Sequence, residues 1–158
     1  MRWMVCLVAA LAVASGAEAQ SVKRLGAAES PISASVEIPA DSRIVYISGT
    51  VPDAVDKAAP EGSVARFGDT AAQTRSVLGK IEAQLKQHGM GLGDIVMMRV
   101  FLVAPPGQRM DFAGMMTAYR EKFGTAAQPG KPARSTMQVG GLVDPGWLVE
   151  IEATAAKK

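Results

Sequence analysis

The stretch Pro132-Ala133-Arg134-Ser135-Thr136, followed after a glycine-rich interval by Glu150-Ile151-Glu152-Ala153, holds the residue types best suited to chemistry in this chain. A guanidinium is a planar, two-pronged donor that suits a carboxylate, and a nearby carboxylate can orient or deprotonate a water. Strand alternation puts Thr136 and Gln138 on the face of Arg134, with Met137 and Val139 on the opposite, apolar face. If the chain turns back between Gly140 and Gly146 as a hairpin or wide loop, Glu150 and Glu152 fall on one face of the returning strand. Arg134 could then share a cleft with a carboxylate. The same spacing suits a cross-strand salt bridge on a solvated face, and the residues alone leave both readings open.

Those strands need elements to hold them. Residues 69–88 carry Ala71, Thr74, Leu78, Ile81 and Leu85 on one helical stripe, with Asp69 as N-cap and Gly89 as stop. Lys86 and His88 suit the negative end of that helix dipole. A second helix, over about residues 111–123, aligns Phe112, Met115, Met116, Tyr119 and Phe123 and ends before Gly124. Strand-like runs cover residues 44–48, 95–103, 133–139 and 148–154, with a weaker one over 33–38. Residues 52–68 read as a long loop, and Pro105, Pro106 and Gly107 break the chain before the second helix. Two one-sided helices among these strands predict an α+β domain, a mixed sheet with both helices packed on one face.

The chain of 158 residues is 48% hydrophobic with a formal net charge of +2, the profile of one globular domain. Its start, Arg2 and then an apolar run from Trp3 to Val13, is too short to remain as a membrane span, and Ala17-Glu18-Ala19 offers a small-x-small cleavage pattern. The expectation is a signal peptide over residues 1–19, an N-terminal extension over 20–31 and one domain over 32–158. The product would be exported, periplasmic or secreted, with no stable membrane association after cleavage. Cys6, the single cysteine, leaves with the peptide, so thiol chemistry is excluded and stability must come from burial or oligomerisation. Arg2 and Glu18 leave together, and the remaining charges are interspersed, without the footprint of a nucleic-acid binder. With one histidine and no mature cysteine, no metal or cofactor is expected. His88 reads as a helix cap, Met97, Met98, Met115 and Met116 as core and interface packing, and Trp147 as packing over a turn.

Several stretches, in order, carry a resemblance to a known family. They are Tyr46-Ile47-Ser48-Gly49-Thr50-Val51-Pro52, Gly68-Asp69-Thr70-Ala71-Ala72-Gln73-Thr74, Gly93-Asp94-Ile95-Val96 leading into Arg99-Val100-Phe101-Leu102, and Asp111-Phe112 with Tyr119 and Phe123. Pro132-Ala133-Arg134-Ser135 with Glu150-Ile151-Glu152-Ala153 completes the set. Together they resemble the Rid family of reactive-intermediate deaminases, the YjgF type, over residues 32–155. The resemblance implies a chorismate-mutase-like α+β fold assembled as a homotrimer with clefts between subunits. It implies that Arg134 holds a substrate carboxylate, that Glu150 positions the attacking water, and that Ser48, Gly49, Ser135 and Thr136 line the cleft. The implied reaction is hydrolysis of enamines or imines of the 2-aminoacrylate type to a 2-keto acid and ammonia, with no metal or cofactor. Two positions depart from the pattern: Ser35 stands in the place of a cleft-closing tyrosine, and Met116 where asparagine is frequent, which alters the pocket entrance. The competing readings are a module that captures a small carboxylate without turnover, a chaperone-like surface, and a ribonuclease. For the last, neither an acid–base pair nor a basic groove shows.

Overall fold

The computed structural model describes residues 21–105 and 107–158; the expected signal peptide, residues 1–19, lies outside them. The longest helix, α2 (Thr70–Gln87), starts where the Asp69 carboxylate accepts the Ala72 N–H at 2.7 Å. That bond satisfies one of the amides a helix start leaves free. His88 caps its far end, and Gly89 follows at φ +67°, the left-handed conformation that suits glycine. Its apolar stripe, Val77, Leu78, Ile81 and Leu85, is wholly buried. A second helix, α3 (Phe112–Arg120), is capped by Asp111 and is shorter than its apolar pattern. Phe123 still reaches the core, stacked on Tyr119 with ring centres 4.6 Å apart. The stretch read as a loop over residues 52–68 also contains one helical turn, α1 (Val64–Phe67), which buries Phe67.

The helices lie on a four-stranded sheet of β3 (Arg43–Thr50), β4 (Ile95–Val103), β5 (Ala133–Val139) and β6 (Val149–Lys157), in the order β3-β6-β4-β5. The fold is α+β with a mixed sheet, as the pattern predicted. Of the two forms of return left open in the sequence, a hairpin or a wide loop, the chain takes the wide loop, and β5 and β6 are not paired. β4 lies between them, parallel to β5 and antiparallel to β6. The reason is connectivity: β4, α3 and β5 form a strand–helix–strand crossover, which joins parallel neighbours. The segment after β5 then carries the chain past β4 to the gap beside β3.

One face of the sheet is covered. Val149, Ile151, Ala153 and Ala155 of β6, with Met98, Val100 and Leu102 of β4, are buried toward α2 and α3. The other face has no helical layer, and Tyr46 stands 78% exposed on it. This reverses the expected orientation of β5. Arg134, Thr136 and Gln138 do share a face, but their partners Met98, Val100 and Leu102 place it on the helix side. Met137, expected against an apolar layer, belongs to the uncovered side and is exposed.

The N-terminal extension is tied to the domain. Its strand β1 (Lys23–Leu25) pairs with β2 (Ser35–Glu37), and Ser33 bridges to Ala133 at the start of β5. The Lys131 ammonium donates to the Ala28 and Ser30 carbonyls, and the Tyr119 hydroxyl donates to the Pro31 carbonyl at 3.0 Å.

Two outcomes follow from this packing. Ile81→Ala leaves a cavity in the core and should cost about 2–5 kcal/mol in denaturant unfolding; a loss well below that range would mean the site collapses freely. Burial raises the Tyr119 phenol from 10.0 to about 12, although the Arg134 charge pulls the other way. A raised folded-state value means that the stability tied to the neutral phenol is present below pH 10 and is lost as pH climbs toward 12. The thermal midpoint should therefore fall across that window in the parent, and Tyr119→Phe should flatten the slope.

Candidate functional site

Arg134 lies on β5, the edge strand, under the margin of α3. Helical spacing brings Phe112, Met115 and Tyr119 onto one side of α3, and these three form its seat. The guanidinium carbon is 4.3 Å from the Tyr119 ring centre and 5.9 Å from that of Phe112, and one Nη lies 3.9 Å from the Met115 sulfur. Cation–π contact of this kind suits arginine, whose weakly hydrated plane stacks on a ring. Burial pulls its pKa down, Tyr119 opposes that, and the like charge of Arg120 adds to it.

The contacts leave hydrogen-bonding capacity unused. The Arg134 Nε and the Thr136 hydroxyl, two residues along the same face, are both shielded from solvent without a partner among the described residues. No carboxylate there pairs with Arg134. A planar cation seated on aromatics, beside an unpaired hydroxyl, has the donor chemistry to bind an oxyanion.

The second group gathers across β3 and β6. Glu150 points to the uncovered face, between Val149 and Ile151, which point inward. Its carboxylate lies against Gly49, where the β3–β6 register shifts between Ile47 and Thr50. A Cβ at Gly49 would collide with Glu150 Oε1, so glycine there leaves the carboxylate its room. Ser48 is exposed and lines a recess of the uncovered face with Tyr46, Arg99 and Glu152. Glu152 pairs with Arg99 at 3.1 Å, whereas Glu150 has no side-chain partner among the described residues. The salt bridge between strands therefore exists, but it joins Arg99 to Glu152 and leaves Arg134 out.

Within one chain these groups do not meet. Arg134 and Glu150 sit on opposite faces of the sheet, about 10 Å apart across the strands with β4 between them, and offset along the strands as well, since Arg134 registers with Met98 and Glu150 with Phe101. Gly49 and Glu150 come together, with Ser48 beside Gly49 opening on the recess of Arg99 and Glu152; Arg134 and Thr136 come together. Ser135 points away from Arg134, toward the side of Arg99 and Glu152. Of the two departures noted in the sequence, Met116 is buried in the core, and Ser35 is exposed opposite Leu25 in the β1–β2 ladder. Among the described residues no group of three His, Cys, Asp or Glu side chains could hold a metal.

The aromatic seat of Arg134 was missed in the sequence, although its signal was present. Phe112 and Tyr119 lie on the stripe that also faces the core, and an arginine reaching that side needs a π-face for its charge. Gln73 was missed as well. It is fully buried and donates to the Gly68 carbonyl at 3.0 Å and the Gly146 carbonyl at 2.9 Å, while its oxygen accepts the Leu148 N–H at 2.7 Å. A glutamine one turn into an amphipathic helix reads as polar surface unless the tertiary partners are known.

Comparison with known proteins gives this arrangement its context. Residues 24–157 match the family model described as endoribonuclease L-PSP. The 3-aminoacrylate deaminase RutC of Acinetobacter baylyi is 34% identical over 125 residues, covering 79% of this chain and 88% of that protein. A RutC family protein of Pyrococcus abyssi is 34% identical over 114 residues, covering 72% of this chain and 79% of its own. Among solved structures, the Rid protein YyfB of Yersinia pestis superposes with a TM-score of 0.63 at 25% identity, covering 87% of this chain and all (100%) of that one. TdcF of E. coli, solved with bound serine, superposes with a TM-score of 0.56 at 25% identity, covering 86% and 99% of the two chains. With the family model matched from β1 to the end of β6, the chain belongs to the Rid, or YjgF-type, family.

Proposed function

We propose that this protein hydrolyses reactive enamines or imines that carry a carboxylate, at clefts formed where Arg134 and Thr136 of one copy face Ser48, Gly49 and Glu150 of the next. The observation that carries the reading is the Arg134 guanidinium: half-buried, seated on Tyr119, and facing no carboxylate of its own chain among the described residues. The relative named for 3-aminoacrylate and the relative solved with serine both involve small molecules bearing a carboxylate, in keeping with that vacancy of charge. The protein's N-terminal segment supports export, and we include it in the proposal.

The chemistry needs little beyond placement. The substrate carboxylate binds Arg134, which fixes the neighbouring imine carbon near Glu150. With the imine nitrogen protonated, Glu150 takes a proton from water as the oxygen bonds to that carbon, giving a neutral carbinolamine. It then returns the proton to the nitrogen and takes the carbinolamine hydroxyl proton as the C–N bond breaks and the C=O bond forms, passing that proton to the departing ammonia. One water enters, one ammonium leaves, a 2-keto acid remains, and the carboxylate is regenerated. An enamine joins this route after protonation at carbon.

A shared cleft also constrains the assembly. The two half-sites are different surfaces, and a heterologous contact in which each copy presents Arg134 to the Glu150 side of the next closes as a ring, whereas a two-fold pair would make two such clefts across one axis. A three-membered ring agrees with the uncovered sheet face, on which Ile44, Tyr46 and Met137 would otherwise remain exposed.

Mixing separates this reading from a self-contained site. Arg134→Ala and Glu150→Gln should each be inactive in ammonia release from an enamine generated in situ. Unfolded and refolded together in equal amounts, they should recover about a quarter of parental activity, the chance that an intact arginine meets an intact glutamate in a random ring. No recovery in well-formed mixed assemblies sinks the shared cleft; carboxylate binding by a parent without turnover favours a binding module. Arg134→Met should abolish turnover yet leave the thermal midpoint unchanged or higher, because it removes a desolvated charge without leaving a void. A drop of several degrees in differential scanning calorimetry would show that the arginine serves the fold instead.

A further inference from the structure

Helix α2 carries a polar stripe beside its apolar one. Gln73, Ser76 and Lys80 recur at i, i+3 and i+7, which aligns them along one side. Each holds a segment that leads to or from the Gly49–Glu150 half-site. The Ser76 hydroxyl accepts the Asp53 N–H at 3.0 Å, and the Lys80 ammonium meets the Asp53 carboxylate at 2.8 Å. Both therefore fix the chain just beyond the end of β3, four residues past Gly49. Gln73 fixes the other wall: its amide spans Gly68, Gly146 and Leu148, and Leu148 lies two residues before Glu150.

The three contacts are unequal. Asp53 is largely solvated and Lys80 partly so, and an ion pair with an exposed partner is weak. The Gln73 bonds are sealed from water, where losing one leaves a buried donor or acceptor unpaired. Gly146 is also pressed against the Phe67 ring, so a side chain there would displace the ring. The segment before β6 is thus keyed between α1 and α2.

We infer that Gln73 is a positioning residue for the reaction, setting where Glu150 stands against Gly49 by fixing the Gly146–Leu148 segment. It touches neither the Arg134 half-site nor the reacting atoms. This rests on the proposed role of Glu150. Loss of Gln73 should therefore slow the chemical step while leaving carboxylate capture intact, since a misplacement of a fraction of an ångström at a remote group costs rate. A purely structural residue would lower the folded fraction and leave the turnover of folded molecules as it was.

The test is steady-state kinetics of Gln73→Leu and Gln73→Glu on an enamine generated in situ, normalised to the folded, assembled protein. Gln73→Leu should lower kcat by on the order of tenfold to a hundredfold with KM within about twofold. It should also raise amide hydrogen exchange at Leu148 and Glu150. Gln73→Glu supplies a second variant should Gln73→Leu fail to fold. Its carboxyl can donate a single hydrogen bond only when protonated, so its kcat relative to the parent should recover toward acidic pH. Parental kcat in folded Gln73→Leu, a loss confined to KM, or a flat pH ratio in Gln73→Glu would overturn the inference. Glu150→Gln tells its failure from that of the underlying reading. If Glu150→Gln keeps parental kcat, the assigned role of Glu150 is wrong; if it is dead while the Gln73 variants are normal, only the inference falls.

Discussion

Everything in this molecule that bears on chemistry depends on the two-residue alternation of β6. That strand lies between β3 and β4, so its side chains either enter the single helical layer or leave it. Val149, Ile151, Ala153 and Ala155 take the inside, each contributing apolar burial, which obliges Glu150, Glu152 and Thr154 to stand on the uncovered face. No rotamer can bring the Glu150 carboxylate back through the sheet. A slip of one residue would repair nothing, because it would bury two carboxylates and expose the core. The division of the half-sites between two faces is therefore a consequence of the hydrophobic pattern itself.

Arg134 shows the other side of the same constraint. Its register partner Met98 commits it to the helix side, where a charge is costly to desolvate. The edge position of β5 lets the guanidinium remain at the margin, and the Tyr119 ring meets it face-on, so the cost is offset without a carboxylate from the same chain. Tyr119 is held in turn by its hydrogen bond to Pro31, so the N-terminal segment supports the arginine through one intermediary. Under the proposed role of Arg134, stability and ligand binding pull in opposite directions: a resident carboxylate would quiet the charge and fill the place proposed for the substrate.

Local signals carried much of the fold in the sequence. Asp69 and Asp111 announced both principal helices, because a cap is a contact between near neighbours in the chain. The bounds of β4 and β5 followed from their strand-like runs, and the ordered set of motifs pointed to the family. Strand order did not follow, since it depends on which distant strands pair. The return over residues 140–146, open in the sequence between a hairpin and a wide loop, is the plain example: glycines announce a turn but not the partner on the far side of it. The crossover through α3 was readable in principle, as a helix between two adjacent strands requires them to run parallel. That Arg134 and Glu150 do not meet within one chain was hidden for the same reason, and Gln73 stayed hidden because its three partners lie in segments that only the tertiary fold brings together.

In the proposed ring, each copy lends its arginine to one cleft and its glutamate to another, so the number of complete clefts equals the number of copies. The same contact that completes a cleft also covers the sheet face that a single chain leaves bare. Assembly and activity are then one equilibrium: burial of Tyr46 and its neighbours drives association, and only association brings a carboxylate within reach of a substrate held by Arg134. This gives the Arg99–Glu152 pair its place. On a solvated face such a pair contributes little, but beneath a neighbouring copy it keeps two charges mutually satisfied and leaves Glu150 as the carboxylate free to act. On that proposal, a substitution in the uncovered face would abolish turnover without touching Arg134 or Glu150, by leaving every half-site without its complement.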